Sequence, residues 1–265
     1  MKPDTASRKN GSYAKVSKFK YQNRGYERTL VLVPGWGFDA RIFEPLDLDF
    51  NYLISQGIDI ERFNEDLIHV LARYNIKEVS MLGWSMGGFL ALNFLKEYGQ
   101  AVREIFLVSM RKRFPKEQID AQKAMLIEDR KLYLTQFYRN CFLGNKRAFK
   151  WFNERLFSSY VEIFDLESLL KGLDYLAQQE LEPALPDKHA VRLVHGKKDG
   201  IAPYSELLEL MEGLSFPASF RQIGLLFSSN LRKFCLVLSL FRCGHNSRTV
   251  SYRAMRIERF EDIEL

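Results

Sequence analysis

Three cysteines, an odd number, are too few in 265 residues for a disulfide framework, so nothing in the chain demands an oxidising compartment. Long hydrophobic runs are also missing, since no stretch approaches the roughly 18 apolar residues that cross a bilayer. The first twenty residues, MKPDTASRKNGSYAKVSKFK, are basic with no apolar stretch behind them, which is not the pattern of a secretory signal. Neither internal repeats nor low-complexity segments occur. Charge of one sign is modest: 39 Lys+Arg against 33 Asp+Glu leave +6. No basic face carries interleaved aromatic readers, so nucleic acid is not an expected partner. No His/Cys/acid cluster has ligand spacing, so neither metal nor organic cofactor is implied. What remains is 46% hydrophobic and 27% charged, enough for a full core in one large domain or a core with an insertion. The expectation is a soluble cytoplasmic monomer with no membrane partner.

Residues 1–29 hold eight Lys/Arg opposed only by Asp4 and Glu27, and segment 1–27 reads as a frayed, solvated basic lead-in. From Arg28 the chain becomes regular. Leu30 to Val33 is an apolar run broken at Pro34-Gly35, the signature of a buried strand in a parallel sheet. Residues 61–74 put Phe63, Leu67, Val70, Leu71 and Tyr74 on one helical face with acids near the start. Segment 77–99 reads as strand, sharp turn and helix, ending at Gly99 as a C′ stop. Further buried strands are predicted at 104–110 and at the start of 191–200. Strands alternating with helices mean an α/β fold with a mostly parallel sheet flanked by helices, with ligands at the carboxyl ends of the strands.

Between Arg111 and about Glu182 the strand signals stop and helical spacing takes over, as in Phe149, Phe152 and Leu156. The reading is therefore a core of 28–110 and 183–265 with a helical cap at 111–182. Ala218–Ile223 looks like one more strand, while 224–265, with two of the three cysteines, is an atypical tail.

Gly83-Trp84-Ser85-Met86-Gly87-Gly88 fits G-x-S-x-G between a predicted strand and a predicted helix. That context gives the motif its meaning: the glycines permit a turn tight enough to lift the Ser85 hydroxyl clear of the sheet. The helix end behind it offers N–H groups and a positive dipole end to a developing oxyanion. Pro34-Gly35-Trp36-Gly37 follows the first strong strand, and the N–H groups of Trp36 and Met86 are the expected oxyanion donors. Asp199, just past the strand at 191–195, is the candidate acid that orients the imidazole. Of four histidines, His69 lies in a helix, His189 in a loop, and His195 closes a strand where it is expected to bond locally. His245 alone follows Asp199, and the order Ser85, Asp199, His245 is that of an α/β-hydrolase.

VPGWGFDARIFEPL, LGWSMGGFLAL and HGKKDGIAP resemble the biotin-pathway carboxylesterases that demethylate pimeloyl-[acyl-carrier protein] methyl ester, over roughly residues 28–223. The resemblance implies Ser85 as nucleophile, Asp199 as acid, and Trp36 as both oxyanion and substrate contact, with Met86 giving the second N–H. It also implies that Phe137, Tyr138, Arg139, Asn140 and Cys141 bind the acyl chain. Family members hold their acidic carrier protein through cap arginines. Arg139, Lys146, Arg147, Lys150 and Arg155 form a net-positive run here, and such complementarity raises association rate and fixes orientation.

The resemblance breaks near the C-terminus. In the family a short last strand leads within a few residues to Gly-His and an apolar-proline pair. Here His245 stands 46 positions after Asp199 and is followed by Asn246-Ser247. An insertion that still delivers His245, a frame-shifted tail, and a non-catalytic carrier-binding descendant all fit the sequence. Within enzymes, a general short-chain carboxylesterase or lactonase is the other reading.

Overall fold

The structure, a computed structural model, describes residues 18–143, 145–181, 190–195, 199, 201–203, 205–206 and the backbone of 226–227. Its framework is a seven-stranded sheet: β1 (Phe19–Gln22), β2 (Thr29–Val33), β3 (Asn51–Ser55), β4 (Val79–Trp84), β5 (Val102–Val108), β6 (Ala190–His195) and β7 (Leu226–Phe227). The order is β1-β3-β2-β4-β5-β6-β7, parallel throughout except for the antiparallel edge pair β1–β3. Every residue of β2 is buried, which is why it reads as an unbroken apolar run rather than an alternation. Three strands, β1, β3 and β7, are not predicted from the sequence; β3 (NYLIS) lies between β1 and β2 in the sheet. Residues 19–22 belong to the sheet, not to a frayed lead-in, because Phe19 is buried against Phe63 (ring centroids 5.7 Å apart) while Lys20 points out. The last strand, Leu226–Phe227, falls within the segment read as an atypical tail; Ala218–Ile223 lies outside the described residues.

Helices α1 (Phe63–Arg73) and α2 (Met86–Tyr98) flank the sheet. In α1, Phe63, Leu67, Val70 and Leu71 are buried as the spacing predicts, whereas Tyr74 caps the end and is exposed. Gly99 does end α2, but in a right-handed conformation (φ −53°, ψ −34°) that tightens into a 3-10 turn rather than a left-handed stop. An ion cluster around the buried Glu104 carboxylate sits at the opposite end of the sheet from the site. There Glu104 on β5 takes Arg28, Arg192 and the Ser80 hydroxyl.

Between β5 and β6 the chain forms α3 (Lys116–Glu128), α4 (Arg130–Cys141), α5 (Lys146–Phe152), α6 (Ser158–Ile163) and α7 (Leu166–Gln178), with a π-turn over 153–157 joining α5 to α6. Three of these helices start on side-chain caps: Asp129 to Leu132 N–H (2.9 Å), Asn145 to Ala148 N–H (3.0 Å) and Asp165 to Ser168 N–H (2.8 Å). Each cap is worth about 1 kcal/mol. The entering and leaving strands of this cap lie side by side, with Leu181 N–H bonded to Lys112 O (2.7 Å) and an antiparallel bridge between Arg113 and Glu180. Phe38, from the loop after β2, is the knob that joins cap to sheet. Its ring packs on Trp84 (4.6 Å) below and on Tyr138 (5.3 Å), Tyr160 (5.8 Å) and Phe152 (6.1 Å) above. Such ring pairs contribute about 0.5–1.5 kcal/mol each beyond burial.

Candidate active site

The carboxyl ends of β2, β4, β5 and β6 meet under the cap around a cavity of about 210 Å³. Ser85 lies there, one residue past β4, with φ +50° and ψ −114°. A non-glycine residue at positive φ is held only where its surroundings over-determine it. Here they do: Ser85 N–H bonds Val108 O of the next strand (2.8 Å), and Gly88 N–H returns to Ser85 O (2.8 Å). The turn also needs bare backbone. A Cβ on Gly83 would stand 2.6 Å from Gly88 Cα, and one on Gly87 would stand 2.6 Å from Pro34 O. The strand-to-helix elbow thus packs directly on the Pro34 loop and presents Ser85 at the N-terminus of α2, whose first N–H groups have no partner within the helix.

Trp36 lines the cavity and its indole N–H donates to Leu169 O of α7 (2.8 Å). Its ring meets Phe137 edge-on at 4.9 Å. Met86, the first residue of α2 and next to Ser85, is buried and is not among the described lining residues. Asp199 lines the cavity and its Oδ1 accepts from Ile201 N–H and Ala202 N–H, both at 2.9 Å. His195 is buried and bonds locally as expected: the Ala202 carbonyl can only accept, so the Nε2 2.7 Å from it carries the proton. His69 is exposed on α1. His189 and His245 lie outside the described residues.

The stretch 137–141 divides by helical period. Phe137 and Cys141, four apart, line the cavity together. Tyr138 does not; it is turned one position round the helix into the cap core, fully buried, with its hydroxyl on Gly37 O at 2.7 Å. Arg139 and Asn140 are turned further, onto the exposed face. Of the five residues expected to meet an acyl chain, Phe137 and Cys141 line the cavity, and Tyr138, Arg139 and Asn140 do not. Burial pushes the Cys141 thiol well above its usual range, with nearby Asp199 adding to the effect, so the thiol stays protonated. Arg147, Lys150 and Arg155 are exposed, Lys150 beside Glu154 at 3.8 Å.

Other contributors carried no local signal. The rest of the described lining is mostly apolar, including Ile42, Phe43, Leu46, Phe114, Phe142 and Leu173, with Gln122 and Asn145 as amides. No Lys or Arg lines it among the described residues. Arg111, 7% exposed and three residues past β5, forks onto Glu206 (2.7 and 2.6 Å) and so ties the loop after Asp199 to the root of the cap. The described residues contain no group of three or more His, Cys, Asp or Glu placed to hold a metal ion.

A mostly parallel sheet with a serine on a strained elbow at a helix N-terminus, the Pro34 loop beside it and an aspartate two strands away is the arrangement of a hydrolase fold. The chain belongs to the alpha/beta hydrolase fold family, whose model matches residues 33–247, and it is a hydrolase enzyme. It is similar to the pimeloyl-[acyl-carrier protein] methyl ester esterase of Vibrio parahaemolyticus, 27% identical over 224 residues covering 76% of this chain and 87% of that one. The protein of the same name from Vibrio vulnificus is 25% identical, covering 75% and 86%. Among solved structures, an esterase from Exiguobacterium antarcticum superposes with a TM-score of 0.69 at 18% identity, covering 84% of this chain and 94% of that one. A bromoperoxidase from Bacillus anthracis gives 0.68 at 16%, covering 84% and 94%. These two likenesses speak to the fold.

Proposed function

We propose that the chain is a serine carboxylesterase that removes the methyl group from a carrier-bound pimeloyl methyl ester. The observation that carries this reading is Ser85 at positive φ, opening into a capped cavity with apolar walls. Ser85 Oγ attacks the ester carbonyl as His245 takes its proton, and the N–H groups of Trp36 and Met86 receive the negative charge that develops on oxygen. Methanol leaves with that proton, and water then releases the acid through the same groups in reverse roles. Asp199 Oδ2 orients the imidazole and stabilises the imidazolium that forms, while Oδ1 is committed to its own loop.

The lining supports the substrate class. A neutral acyl chain and methyl ester suit walls of Phe, Leu, Ile and Trp, and the product carboxylate meets no cation among the described lining residues, which favours its departure. Leu143, 71% exposed, lines the cavity and stands in the link between α4 and α5, with Arg139 before it and Arg147, Lys150 and Arg155 after it. An acidic carrier protein docked on that face would hold its tethered chain at the opening. The relatives named for this activity share about a quarter of the sequence over three quarters of the chain.

The test is turnover of the methyl ester of pimeloyl-carrier protein, beside a free p-nitrophenyl ester, by wild type, Ser85→Ala and His245→Ala. Turnover lost in both variants supports the triad as written. Preference for the free ester would favour a general short-chain esterase, and a folded wild type inert on both would favour a carrier-binding protein.

A further inference from the structure

We infer that Tyr138 is a positioning residue for the oxyanion donor: a buried cap hydroxyl fixes the 35–38 turn, and the Trp36 N–H takes its working direction only with the cap seated. The inference rests on the esterase reading above and concerns the same site. Phe38 N–H closes the turn on Gly35 O at 3.2 Å, and Gly37 at its third position has φ +71°. That is the geometry of a type II turn, which requires positive φ there. In a trans peptide the carbonyl and the N–H point opposite ways, so the bond that holds Gly35 O also sets where Trp36 N–H points.

The cap grips this turn and the residue after it at three places from three helices. Tyr138 on α4 donates to Gly37 O (2.7 Å), Trp36 donates its indole N–H to Leu169 O on α7 (2.8 Å), and Tyr160 on α6 donates to Asp39 Oδ1 (2.7 Å). Arg41, paired with Asp39, adds a bond to Ser159 Oγ (2.9 Å). Phe137 stands 3.4 Å from where a Gly37 Cβ would be, so the turn is also pressed from above. Burial holds the Tyr138 and Tyr160 phenols far above their ordinary range, and both remain donors at any working pH. A cap helix that lifts releases the Gly37 carbonyl, and the turn is free to swing its peptide planes.

Tyr138→Phe removes the hydroxyl and keeps the ring. On p-nitrophenyl butyrate it is expected to lower kcat at least tenfold with KM within twofold, and to weaken butylboronic acid, which forms a tetrahedral serine adduct, by a similar factor. Tyr160→Phe should move both in the same direction by less. Leu134→Ala, in the core of the same helix and off the cavity, serves as the comparison: it lowers the melting temperature and leaves kcat and boronate affinity unchanged. Tyr138→Phe with kcat within twofold of wild type, or a loss matched by Leu134→Ala, would overturn the inference. Should Tyr138→Phe not fold, Tyr160→Phe decides by the same two readouts. A folded wild type inert on every ester would instead remove the esterase reading, and this inference with it.

Discussion

Asp199 and His195 hold one residue, Ala202, from its two ends: its N–H donates to Asp199 Oδ1 at 2.9 Å and its carbonyl accepts from His195 Nε2 at 2.7 Å. The loop that carries the candidate acid is therefore closed on β6 by a histidine that stands in the cavity wall with its Nε2 proton committed to that carbonyl. His195→Ala is expected to slow ester turnover about tenfold by loosening Asp199. His245→Ala should cost roughly 10³-fold or more, as expected when a member acting as a unit is lost. Steady-state kinetics of the two variants side by side separates them; equal losses would mean the wrong histidine has been assigned the base.

Gly172 lies against Trp36, and a Cβ there would come within 2.6 Å of the indole Cδ1 and 3.0 Å of Nε1. Gly172→Ala must push the indole off Leu169 O or lift α7. The expected result is loss of about 1–3 kcal/mol of stability, typical of overpacking, with a fall in turnover larger than that of a surface control. Chemical denaturation and kcat together check it.

Arg111 and Glu206 form a forked, mostly buried pair that ties the Asp199 loop to the cap root. Arg111→Met removes both charge-assisted bonds and should destabilise by about 1.5–3 kcal/mol. Glu104→Gln, in the ion cluster at the far end of the sheet, should destabilise by a comparable amount with kcat unchanged. If Arg111→Met also leaves kcat unchanged, the clamp does not position Asp199.

Alkaline titration follows from the buried phenols. Burial raises Tyr133 to about 12, and raises Tyr138, Tyr160 and Tyr175 further. In the unfolded chain tyrosines ionise near pH 10. Groups whose folded pKa is raised give stability that is complete below the unfolded value and lost as pH climbs through the folded one, so stability should fall from about pH 10 upward. Absorbance at 295 nm is expected to rise in two stages, the second coinciding with loss of far-ultraviolet circular dichroism. A single stage complete in the native state would contradict the burial.

Reversing Arg147 and Lys150 to Glu should weaken turnover of the carrier-bound ester through the association step, with little change on a free ester. The wild-type preference should shrink as salt rises, because exposed charges are screened over about 8–10 Å. Side-by-side kcat/KM values at low and high ionic strength would settle it, and equal effects on both substrates would remove the docking face.

The elbow was legible because its chemistry is local: a strand, a glycine-flanked serine and a helix in immediate succession leave few alternatives for the backbone. The same holds for the fully buried strands, whose apolar runs need no partner to be recognised, and for α1, whose period is written over fourteen residues. By contrast β1 hid among lysines, since an edge strand of four residues buries one side chain and solvates the next.

Helical phase decided the cap stretch. Five consecutive residues look equivalent as a string, but only Phe137 and Cys141 share the face that meets the cavity, and which face that is depends on how α4 sits on Phe38. The sequence alone determined the four central strands, the serine elbow and the chain order Ser85, Asp199, His245, because each follows from backbone preference and spacing within a few residues. Only tertiary structure decided that Tyr138 bonds Gly37 across 101 positions, that Trp36 bonds Leu169 across 133, and that Arg111 reaches Glu206 across 95. Those pairings exist because burying the cap against the sheet leaves polar groups that must find partners at close range, and a linear pattern carries no record of which ones meet.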